Sequence, residues 1–351
     1  MTTLQNDLSF SQAEMQAYLQ NLSQRQGLNA ALKALFDWSL AVGYITPAKL
    51  NDNKRYSYHD PETGVNFKTQ INIARSLYSP KPLEGKNIPK LHCPICIENQ
   101  TLPGKEDLRV FQFELTPGRQ FFLQLTPFPL YPYHFVLIAC DRVPMIMERQ
   151  SIHDLMRFIT LAPGFIGCSN SDVEWAGASV LVHHHYQVFK ALHLPIMEAK
   201  WIKECYGKKS DIEFGLLDFP IACCKLKTPL ADMIIEKGGQ IIQQWKAKDL
   251  GRNTCNLILR KIDNDYELYI LFRNPDFRTP PALTPIKSEG VGIIEVAGEG
   301  IYPVPTGTDA DKLWHEIEHN GLAVIKGIIE GNNPIKREQF TKRFLEIGEL
   351  F

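Results

Sequence analysis

The amino-acid sequence predicts an α+β fold built on a largely antiparallel sheet. Runs of β-forming residues follow one another as hairpins, and segments with apolar residues at helical spacing precede and separate these hairpins. Of the 351 residues, 44% are hydrophobic and 22% are charged, which is the composition of a globular protein. A chain of this length is expected to form two subdomains or an internally duplicated fold.

The first half of the chain is predicted to begin with helices over residues 10–43, where Ser11 and Glu14 are spaced as in a capping box. A hairpin is expected in RYSYHDPETGVNFKTQINIARSLYS, because DPETG separates two β-like runs. Strands are then predicted at RVFQFEL, QFFLQLT and HFVLIA, a helix at SIHDLMRFITLAPGF, and a strand-like stretch at AGASVLVHHHYQVFKAL.

The second half is predicted to contain a helix in CKLKTPLADMIIEKGGQIIQQWKAKDLG, entered through Thr228, and a hairpin in TCNLILRKIDNDYELYILFRN. A strand punctuated by glycines is expected in GVGIIEVAGEGIYPVP. Closing helices are expected in TDADKLWHEIEHNGLAVIKGIIEG, with Thr308 as the N-cap, and in KREQFTKRFLEIG. The similar content of the two halves suits a diverged duplication.

Charge and targeting signals narrow the class of protein. Lys and Arg number 38 against 39 Asp and Glu, so the chain lacks the basic surface of a general nucleic-acid binder. The N-terminus has no signal-peptide pattern, and no apolar run is long enough to span a bilayer. We therefore expect a cytoplasmic protein that binds neither nucleic acid nor membrane, with its eight cysteines as reduced thiols or metal ligands.

Cys93 and Cys96 have the C-x2-C spacing with which two thiolates can bind one tetrahedral zinc ion. The pair supplies half of a site, so histidines brought in by the fold would have to complete it. A redox pair or two buried small side chains are the alternatives. The string HEIEH, with His315 and His319, also matches a zinc pattern, but a solvated helix face is the preferred interpretation.

Several polar residues are candidate anion ligands. His134 opens a predicted buried strand, where it can donate to a phosphate or to a loop carbonyl. Arg75 has the planar fork that suits a phosphate, as do Arg273 and Arg278 in FRNPDFR, although each can equally be a solvated surface charge. None of these residues indicates a function without the others.

The stretch HHHYQ contains His183, His184 and His185, followed by Tyr186 and Gln187. In an extended segment alternate side chains share a face, so the pattern is better read as H-x-H-x-Q, with the middle histidine facing away. A neutral imidazole is a competent nucleophile towards phosphorus if an acceptor holds its other ring nitrogen. The small residues GAS just upstream allow backbone N–H groups to approach a phosphate closely.

Three motifs occur in order along the chain: C-x2-C, a PFP segment before a strand that opens with histidine, and GAS followed by H-x-H-x-Q. This ordered set resembles the galactose-1-phosphate uridylyltransferase branch of the histidine-triad (HIT) superfamily. Within that branch it is most similar to the GDP-L-galactose phosphorylase-like group. The resemblance runs from about residue 70 to residue 195. It implies two HIT-like halves, over residues 46–200 and 201–351, each a largely antiparallel sheet with packed helices, after an N-terminal helical segment over residues 1–45.

The resemblance also implies roles for individual residues. His185 would attack the α-phosphate of a nucleotide, and Gln187 would bind the phosphoryl oxygens. The first histidine of the motif joins the C-x2-C pair in zinc-bearing relatives, which would make Cys93, Cys96 and His183 metal ligands. The candidate substrate-binding and phosphate-binding residues are Ser179, Gly177, Arg75, Asn72, His134, Thr126 and Asn170.

Two departures from the family pattern affect these expectations. Thr126 stands where relatives usually have Asn, so base or ribose recognition is expected to differ. Relatives carry a further zinc-binding His just after the strand HFVLIA, and here only Cys140 or Asp141 is available. The predicted cofactor is therefore at most a structural zinc, with no organic cofactor.

The function predicted from the sequence is that of a nucleotidyltransferase or phosphorylase with a covalent nucleotidyl-histidine intermediate. Its donor would be a nucleoside diphosphate sugar or a dinucleoside polyphosphate, and its acceptor phosphate or a sugar phosphate. The alternatives are a non-catalytic nucleotide-binding protein that retains the fold and, less favoured, a zinc-dependent hydrolase. A homodimer is expected by analogy with uridylyltransferases.

Overall fold

The computed structural model describes residues 9–73, 93–98, 105–177 and 180–351. Its strands are β1 (Lys54–His59), β2 (Asn66–Ile71), β3 (Val110–Thr116), β4 (Arg119–Leu125), β5 (His134–Ala139), β6 (Phe165–Ser169), β7 (His185–Lys190), β8 (Trp201–Lys209), β9 (Ile212–Leu217), β10 (Cys223–Thr228), β11 (Thr254–Ile262), β12 (Asp265–Arg273) and β13 (Glu299–Tyr302). Its α-helices are α1 (Gln12–Gln26), α2 (Leu28–Ala41), α3 (Pro47–Asn51), α4 (Arg149–Leu161), α5 (Ala231–Ala247), α6 (Ile293–Val296), α7 (Ala310–His319), α8 (Gly321–Gly331) and α9 (Phe340–Gly348).

The fold is α+β and is built around one ten-stranded sheet with the order β3-β4-β5-β7-β6-β11-β12-β10-β9-β8. Every neighbouring pair in this sheet is antiparallel. The order β3-β4-β5-β7-β6 is repeated as β8-β9-β10-β12-β11, and each half carries one long helix, α4 or α5, between its third and fourth strands. This repeat of strand order accords with the expected diverged duplication.

The two faces of the large sheet are covered differently. Helices α1, α2, α4, α5 and α9 pack on one face over a large apolar core. The other face carries a second core, to which the small sheet β1-β2-β13 and helix α8 contribute. Strand β13 runs parallel to β2 and brings the C-terminal half of the chain next to the first hairpin. A cavity opens on this second face, and its wall includes residues of both sheets. No helix in the described part of the chain is long and apolar enough to cross a bilayer.

Most elements predicted from the sequence are present, including the capping box of Ser11 and Glu14 at the start of α1. Strands β6, β8, β9 and β10 were not predicted, because their polar and apolar residues give only short or mixed patterns. The strand expected in GVGIIEVAGEGIYPVP is wrong in its first part, which forms the short helix α6 before β13. Thr308 is not the N-cap of α7; that position is Asp309, and its side chain accepts no capping hydrogen bond.

Helix α1 closes the edge of the large sheet at β3. The side-chain amide of Gln12 donates to the carbonyl of Val110 (2.9 Å) and accepts from its N–H (3.0 Å). Gln16 does the same with Gln112, at 2.7 and 2.8 Å. The spacing of residues four apart on the helix thus fits the spacing of residues two apart on the strand. The two glutamines occupy backbone hydrogen-bonding groups of the β3 edge that could otherwise pair with another chain.

We expect the double substitution of Gln12 and Gln16 by alanine to lower the free energy of unfolding by about 2–4 kcal/mol, because four hydrogen bonds are lost. It should also promote self-association, since the β3 edge becomes available. Urea denaturation and light scattering measure the two effects. Gln20→Ala, at an exposed position of the same helix, is the control and should change neither. A double variant as stable and as monodisperse as Gln20→Ala would contradict this role of α1.

Candidate active site

A cavity of about 590 Å³ opens beside the middle of the large sheet. One wall is formed by β5 and β7 through His134, His185 and Gln187. The opposite wall is the segment of residues 287–295 from the second half of the chain. The remaining walls come from the loops before β5 and after β6 and from the end of β2. The cavity is therefore enclosed by both halves of the fold.

The three histidines of HHHYQ point to different sides of the sheet. Tyr186 and Val188 belong to the core under the helices, whereas Phe189 belongs to the core on the cavity side. His184 shares the helix side, because its Nε2–H donates to the hydroxyl of Tyr186 at 2.6 Å. Only the last of the three histidines lies within β7, and His183 and His184 precede the strand.

His185 is buried in the cavity wall with one ring nitrogen fixed. Its Nδ1 lies 2.8 Å from the carbonyl oxygen of His183. A carbonyl can only accept, so Nδ1 carries the proton and the lone pair is on Nε2. Nε2 forms no hydrogen bond within the described part of the chain. Burial lowers the pKa of His185, which keeps the ring neutral at physiological pH.

Gln187 is oriented by His134 from the neighbouring strand. The backbone N–H of Leu130 donates to Nδ1 of His134 (3.3 Å), so Nε2 of that ring carries its proton and donates to Oε1 of Gln187 (3.1 Å). Burial lowers the pKa of His134 to about 3, and its ring stacks on Phe189 at 4.1 Å. The amide oxygen of Gln187 is thus occupied, which leaves its NH₂ group as the donor available to a ligand in the cavity.

His184 belongs to a buried network on the opposite face. The hydroxyl of Tyr186 donates to Asp154 of helix α4 (3.0 Å), and Arg119 of β4 donates to the same carboxylate at 2.7 and 3.2 Å. Nδ1 of His184 accepts from the N–H of Ile146 (3.4 Å). This network joins α4 to the sheet directly beneath the cavity strand.

Cys93, Cys96 and His183 form a group that could hold a metal ion, with ligand atoms within 4.8 Å of one another. Nδ1 of His183 lies 3.2 Å from each of the two sulfur atoms. Its Nε2 donates to the carbonyl of Ala139 at 2.7 Å, so the Nδ1 lone pair faces the sulfurs. In tetrahedral zinc coordination, sulfur and nitrogen ligand atoms lie about 3.5 Å apart. A small increase in the two sulfur–nitrogen distances would therefore let the group coordinate zinc.

The other metal ligands considered from the sequence are not part of this group. Cys140 is half buried and packs beside an apolar cluster of Val110, Phe122 and Ile138. Neither Cys140 nor Asp141 reaches the three ligand atoms, and within residues 9–73, 93–98, 105–177 and 180–351 no second group of this kind occurs. His315 and His319 stack on each other on the exposed face of α7.

The remaining predicted binding residues fall into two sets. Asn72, Thr126, Asn170 and Gly177 line the cavity. Asn170 also accepts from the N–H of Ile293 at 3.1 Å, which ties the loop after β6 to the opposite wall. The two predictions that lie outside the described residues are Arg75 and Ser179.

Position 177 requires a glycine. It adopts φ +98°, and a Cβ there would lie 2.6 Å from the carbonyl oxygen of Val291 and 3.2 Å from Cα of Gly292. Nη1 of Arg273 would be 3.3 Å away. The loop after β6 and the segment after residue 290 therefore touch through their backbones at the cavity wall, a contact that only glycine allows.

The residues with which the second half lines the cavity were not predicted from the sequence. Lys287 and Glu295 line the cavity and form a buried ion pair, with Nζ 2.7 Å from a carboxylate oxygen. Behind them the guanidinium of Arg273 is fully buried, and burial lowers its pKa to about 10. The string GVGIIEVAGEG predicted only a strand, and no local pattern distinguishes Lys287 from other lysines.

Comparisons with known proteins bear on this site. No family model matches the sequence. The chain is 25% identical over 305 residues to galactose-1-phosphate uridylyltransferase 1 of Streptococcus pneumoniae, which covers 78% of this chain and 61% of that protein. It is 26% identical over 377 residues to the galactose-1-phosphate uridylyltransferase of Bifidobacterium longum, which covers 99% of this chain and 69% of that protein. The chain thus spans 61% to 69% of the length of these relatives.

The fold is similar to that of yeast Ap4A phosphorylase, solved in complex with AMP. The TM-score is 0.56 and the identity 15%, with 90% of this chain and 96% of that chain covered. At this identity the likeness concerns the fold alone. The sequence relatives confirm the expected resemblance to galactose-1-phosphate uridylyltransferases, and the solved structure supports the α+β fold.

Proposed function

Starting from that resemblance, we propose that the chain is a nucleotidyltransferase that forms a covalent nucleotidyl intermediate on His185. The observation that carries the proposal is the fixed tautomer of His185 in the cavity wall. Its Nδ1–H is bound to the carbonyl of His183 at 2.8 Å, so the nucleophilic lone pair is on Nε2. A buried histidine with a purely structural role would normally use both ring nitrogens, as His134 does.

In the first half-reaction Nε2 of His185 attacks the α-phosphorus of the donor. The Nε2–P bond forms as the bond from that phosphorus to the bridging oxygen breaks, and the leaving phosphate takes the electron pair. The imidazole becomes cationic, and the carbonyl that accepts from Nδ1–H stabilises this charge. The NH₂ group of Gln187, held by His134, donates to a non-bridging oxygen. In the second half-reaction an acceptor phosphate oxygen attacks the same phosphorus and releases His185.

The donor is a nucleoside diphosphate sugar or a dinucleoside polyphosphate, and the acceptor is phosphate or a sugar phosphate. Both donor classes share the first half-reaction. The names of the relatives support this range, since one group acts on galactose 1-phosphate and the yeast protein on Ap4A. Asn72, Thr126, Asn170 and Gly177 are proposed to contact the nucleotide.

An exchange experiment tests the covalent route. The enzyme is incubated with unlabelled nucleoside diphosphate hexose and labelled hexose 1-phosphate, with no second acceptor. A ping-pong enzyme is expected to move the label into the nucleotide sugar, because the first half-reaction is reversible on its own. The same assay with diadenosine tetraphosphate and labelled ATP covers the other donor class. Tight nucleotide binding without exchange in either assay would favour a non-catalytic binding protein.

We further propose that Cys93, Cys96 and His183 hold a structural zinc ion. The ion would cross-link the loop before β3 to the start of β7. Cys93→Ser is expected to reduce the metal content from about one zinc per chain to near zero and to lower the melting temperature. Elemental analysis and thermal denaturation measure both. Cys140→Ser, which changes a cysteine outside the group, should keep the metal. Full zinc occupancy in Cys93→Ser would contradict the assignment.

Other expectations from the sequence remain proposals. We propose Arg75 and Ser179 as further phosphate ligands, and the boundaries 1–45, 46–200 and 201–351 as the functional division of the chain. A cytoplasmic homodimer is the expected state of the protein.

A further inference from the structure

Glu299 is a buried carboxylate next to the cavity that the proposed mechanism does not use. It opens β13, the strand of the second half that pairs with β2, and it is 1% exposed. Its Oε1 accepts two hydrogen bonds, from the hydroxyl of Tyr131 (2.5 Å) and from the side-chain amide of Gln70 (2.6 Å). Its Oε2 has no hydrogen-bond partner within the described residues. One acceptor atom therefore joins β13 to the loop before β5 and to β2.

The bond to Tyr131 holds the loop that orients His134. Leu130, the residue before Tyr131, lines the cavity, and its backbone N–H donates to Nδ1 of His134 (3.3 Å). His134 in turn donates from Nε2 to Oε1 of Gln187 (3.1 Å). Arg55 supports the same loop, because its guanidinium donates to the carbonyl of Leu130 (3.0 Å). The position of this loop thus determines whether Nδ1 of His134 has a donor.

The donor at Nδ1 of His134 decides which way the amide of Gln187 points. Without this donor, the proton of the neutral ring can reside on Nδ1, and Nε2 then becomes an acceptor. The amide of Gln187 would turn its NH₂ group towards Nε2 and away from the cavity. The hydrogen bond that the proposed mechanism directs at a phosphoryl oxygen would then be lost.

The bond to Gln70 fixes a second part of the cavity wall. Oε1 of Gln70 accepts from the side-chain amide of Asn53 (3.1 Å), and Oδ1 of Asn53 accepts from the backbone N–H of Ile73 (3.2 Å). Ile73 follows Asn72, which lines the cavity just beyond the end of β2. Glu299 thus anchors both the loop before β5 and the end of β2 where they reach the cavity.

The burial of a carboxylate at this position is unfavourable. Burial raises the pKa of Glu299, and its hydrogen bonds among the described residues come from two uncharged groups. An apolar side chain would avoid this desolvation cost. What the carboxylate adds is an acceptor that Tyr131 and Gln70 share, so its contribution is to geometry rather than to stability.

We propose that Glu299 is a positioning residue for nucleotidyl transfer, which sets the tautomer of His134 and thereby the direction of the Gln187 amide. The inference rests on the proposed function, because it adds a residue to the same site. It assigns part of the control over the chemistry of the first half to a strand of the second half.

Nuclear magnetic resonance of protein labelled with ¹⁵N-histidine tests the tautomer without any turnover. Burial lowers the pKa of His134 to about 3, so near neutral pH its ring ¹⁵N shifts report which nitrogen carries the proton. The signals are assigned by their loss in His134→Gln. We expect the proton on Nε2 in the wild type and a substantial fraction on Nδ1 in Tyr131→Phe and Glu299→Met.

Steady-state kinetics separates the two bonds of Glu299. Tyr131→Phe is expected to lower kcat about tenfold while KM for the nucleotide substrate changes less than about twofold, because the loss falls on the transition state. Gln70→Met is expected to raise KM about fivefold instead, since the end of β2 near Asn72 is released. Glu299→Met should show both effects, and adding Tyr131→Phe to it should lower kcat no further.

Two further variants distinguish positioning from general stability. Glu299→Gln should stay within about twofold of the wild type in kcat and KM, because its amide oxygen can accept from both Tyr131 and Gln70. Tyr58→Phe is the matched control, since it removes a tyrosine hydroxyl that donates to the carbonyl of Ile317 (2.5 Å) and does not line the cavity. It should lower stability as Tyr131→Phe does but keep the kinetics and the His134 shifts of the wild type.

A wild-type tautomer of His134 in both Tyr131→Phe and Glu299→Met would overturn the proposal. Glu299→Gln as impaired as Glu299→Met would also overturn it, because the shared acceptor would not be what matters. Equal loss of kcat in Tyr58→Phe and Tyr131→Phe would reduce the effect to stability and refute positioning. Failure of the proposed function is distinct, since it appears as absent exchange of label in the wild type, and the tautomer measurement does not depend on exchange.

Discussion

Replacing His185 with alanine is expected to abolish nucleotidyl transfer, with turnover reduced by more than about 10³-fold, because the nucleophile that divides the reaction into two steps is removed. The nucleotide should still bind, since its other contacts in the cavity are retained. Measuring turnover and the dissociation constant of the nucleotide separates these two effects. His185→Ala with near-normal turnover would require a different nucleophile or direct displacement.

His184→Ala is the matched control, because the two histidines are adjacent but face opposite sides of the sheet. His184→Ala removes a donor to Tyr186 and the acceptor for the N–H of Ile146. It is expected to lower stability by about 1–3 kcal/mol while retaining most of the turnover at temperatures where the protein is folded. Equal loss of turnover in both variants would contradict the alternation on which the assignment of His185 depends.

Arg273→Met is expected to give the largest loss of stability among the substitutions considered, about 3 kcal/mol or more in the free energy of unfolding. The guanidinium donates to the side-chain oxygens of Asn256 (2.6 Å) and Asn332 (3.1 Å) and to the carbonyl of Val291 (3.0 Å). Methionine fills a similar volume but leaves three buried acceptors without this donor, each of which costs about 1–3 kcal/mol.

The control for Arg273→Met is Arg278→Met, which changes an exposed arginine of the same FRNPDFR stretch. A surface substitution of this kind is expected to stay within about 0.5 kcal/mol of the wild type. Chemical denaturation monitored by fluorescence and by circular dichroism measures both variants. Similar stabilities for the two would mean that the buried guanidinium does not hold the wall of the cavity together.

The candidate site residues of the first half could be predicted from the sequence because short motifs identify them. The period of two along an extended chain is enough to separate His184 from His183 and His185. The group of Cys93, Cys96 and His183 followed from the family resemblance, and the fold brings these side chains together.

The contribution of the second half could not be predicted, because it depends on long-range packing. Lys287 reaches the cavity because β13 pairs with β2 and the segment before β13 folds over β7. Arg273 and Arg278 are five residues apart and look alike in the sequence, yet one is fully buried and the other is exposed. His134 was expected to contact phosphate, but both of its ring nitrogens bond to the protein and orient Gln187.

The fold class followed from the hairpins, whereas the strand order did not. Charged residues interrupt the apolar pattern of strands β8, β9 and β10, at exposed positions in β8 and at half-buried positions in β9 and β10. Only their pairing reveals that the second half repeats the strand order of the first.

Intact-protein mass spectrometry after incubation with a nucleotide donor and no acceptor tests whether His185 forms a covalent intermediate. We expect a mass increase of one nucleoside monophosphate per chain, located on His185 by peptide mapping, abolished in His185→Ala and retained in His184→Ala. Addition of phosphate or a sugar phosphate should remove the adduct. Turnover of the donor with no adduct, or an adduct on another residue, would contradict a covalent nucleotidyl intermediate on His185.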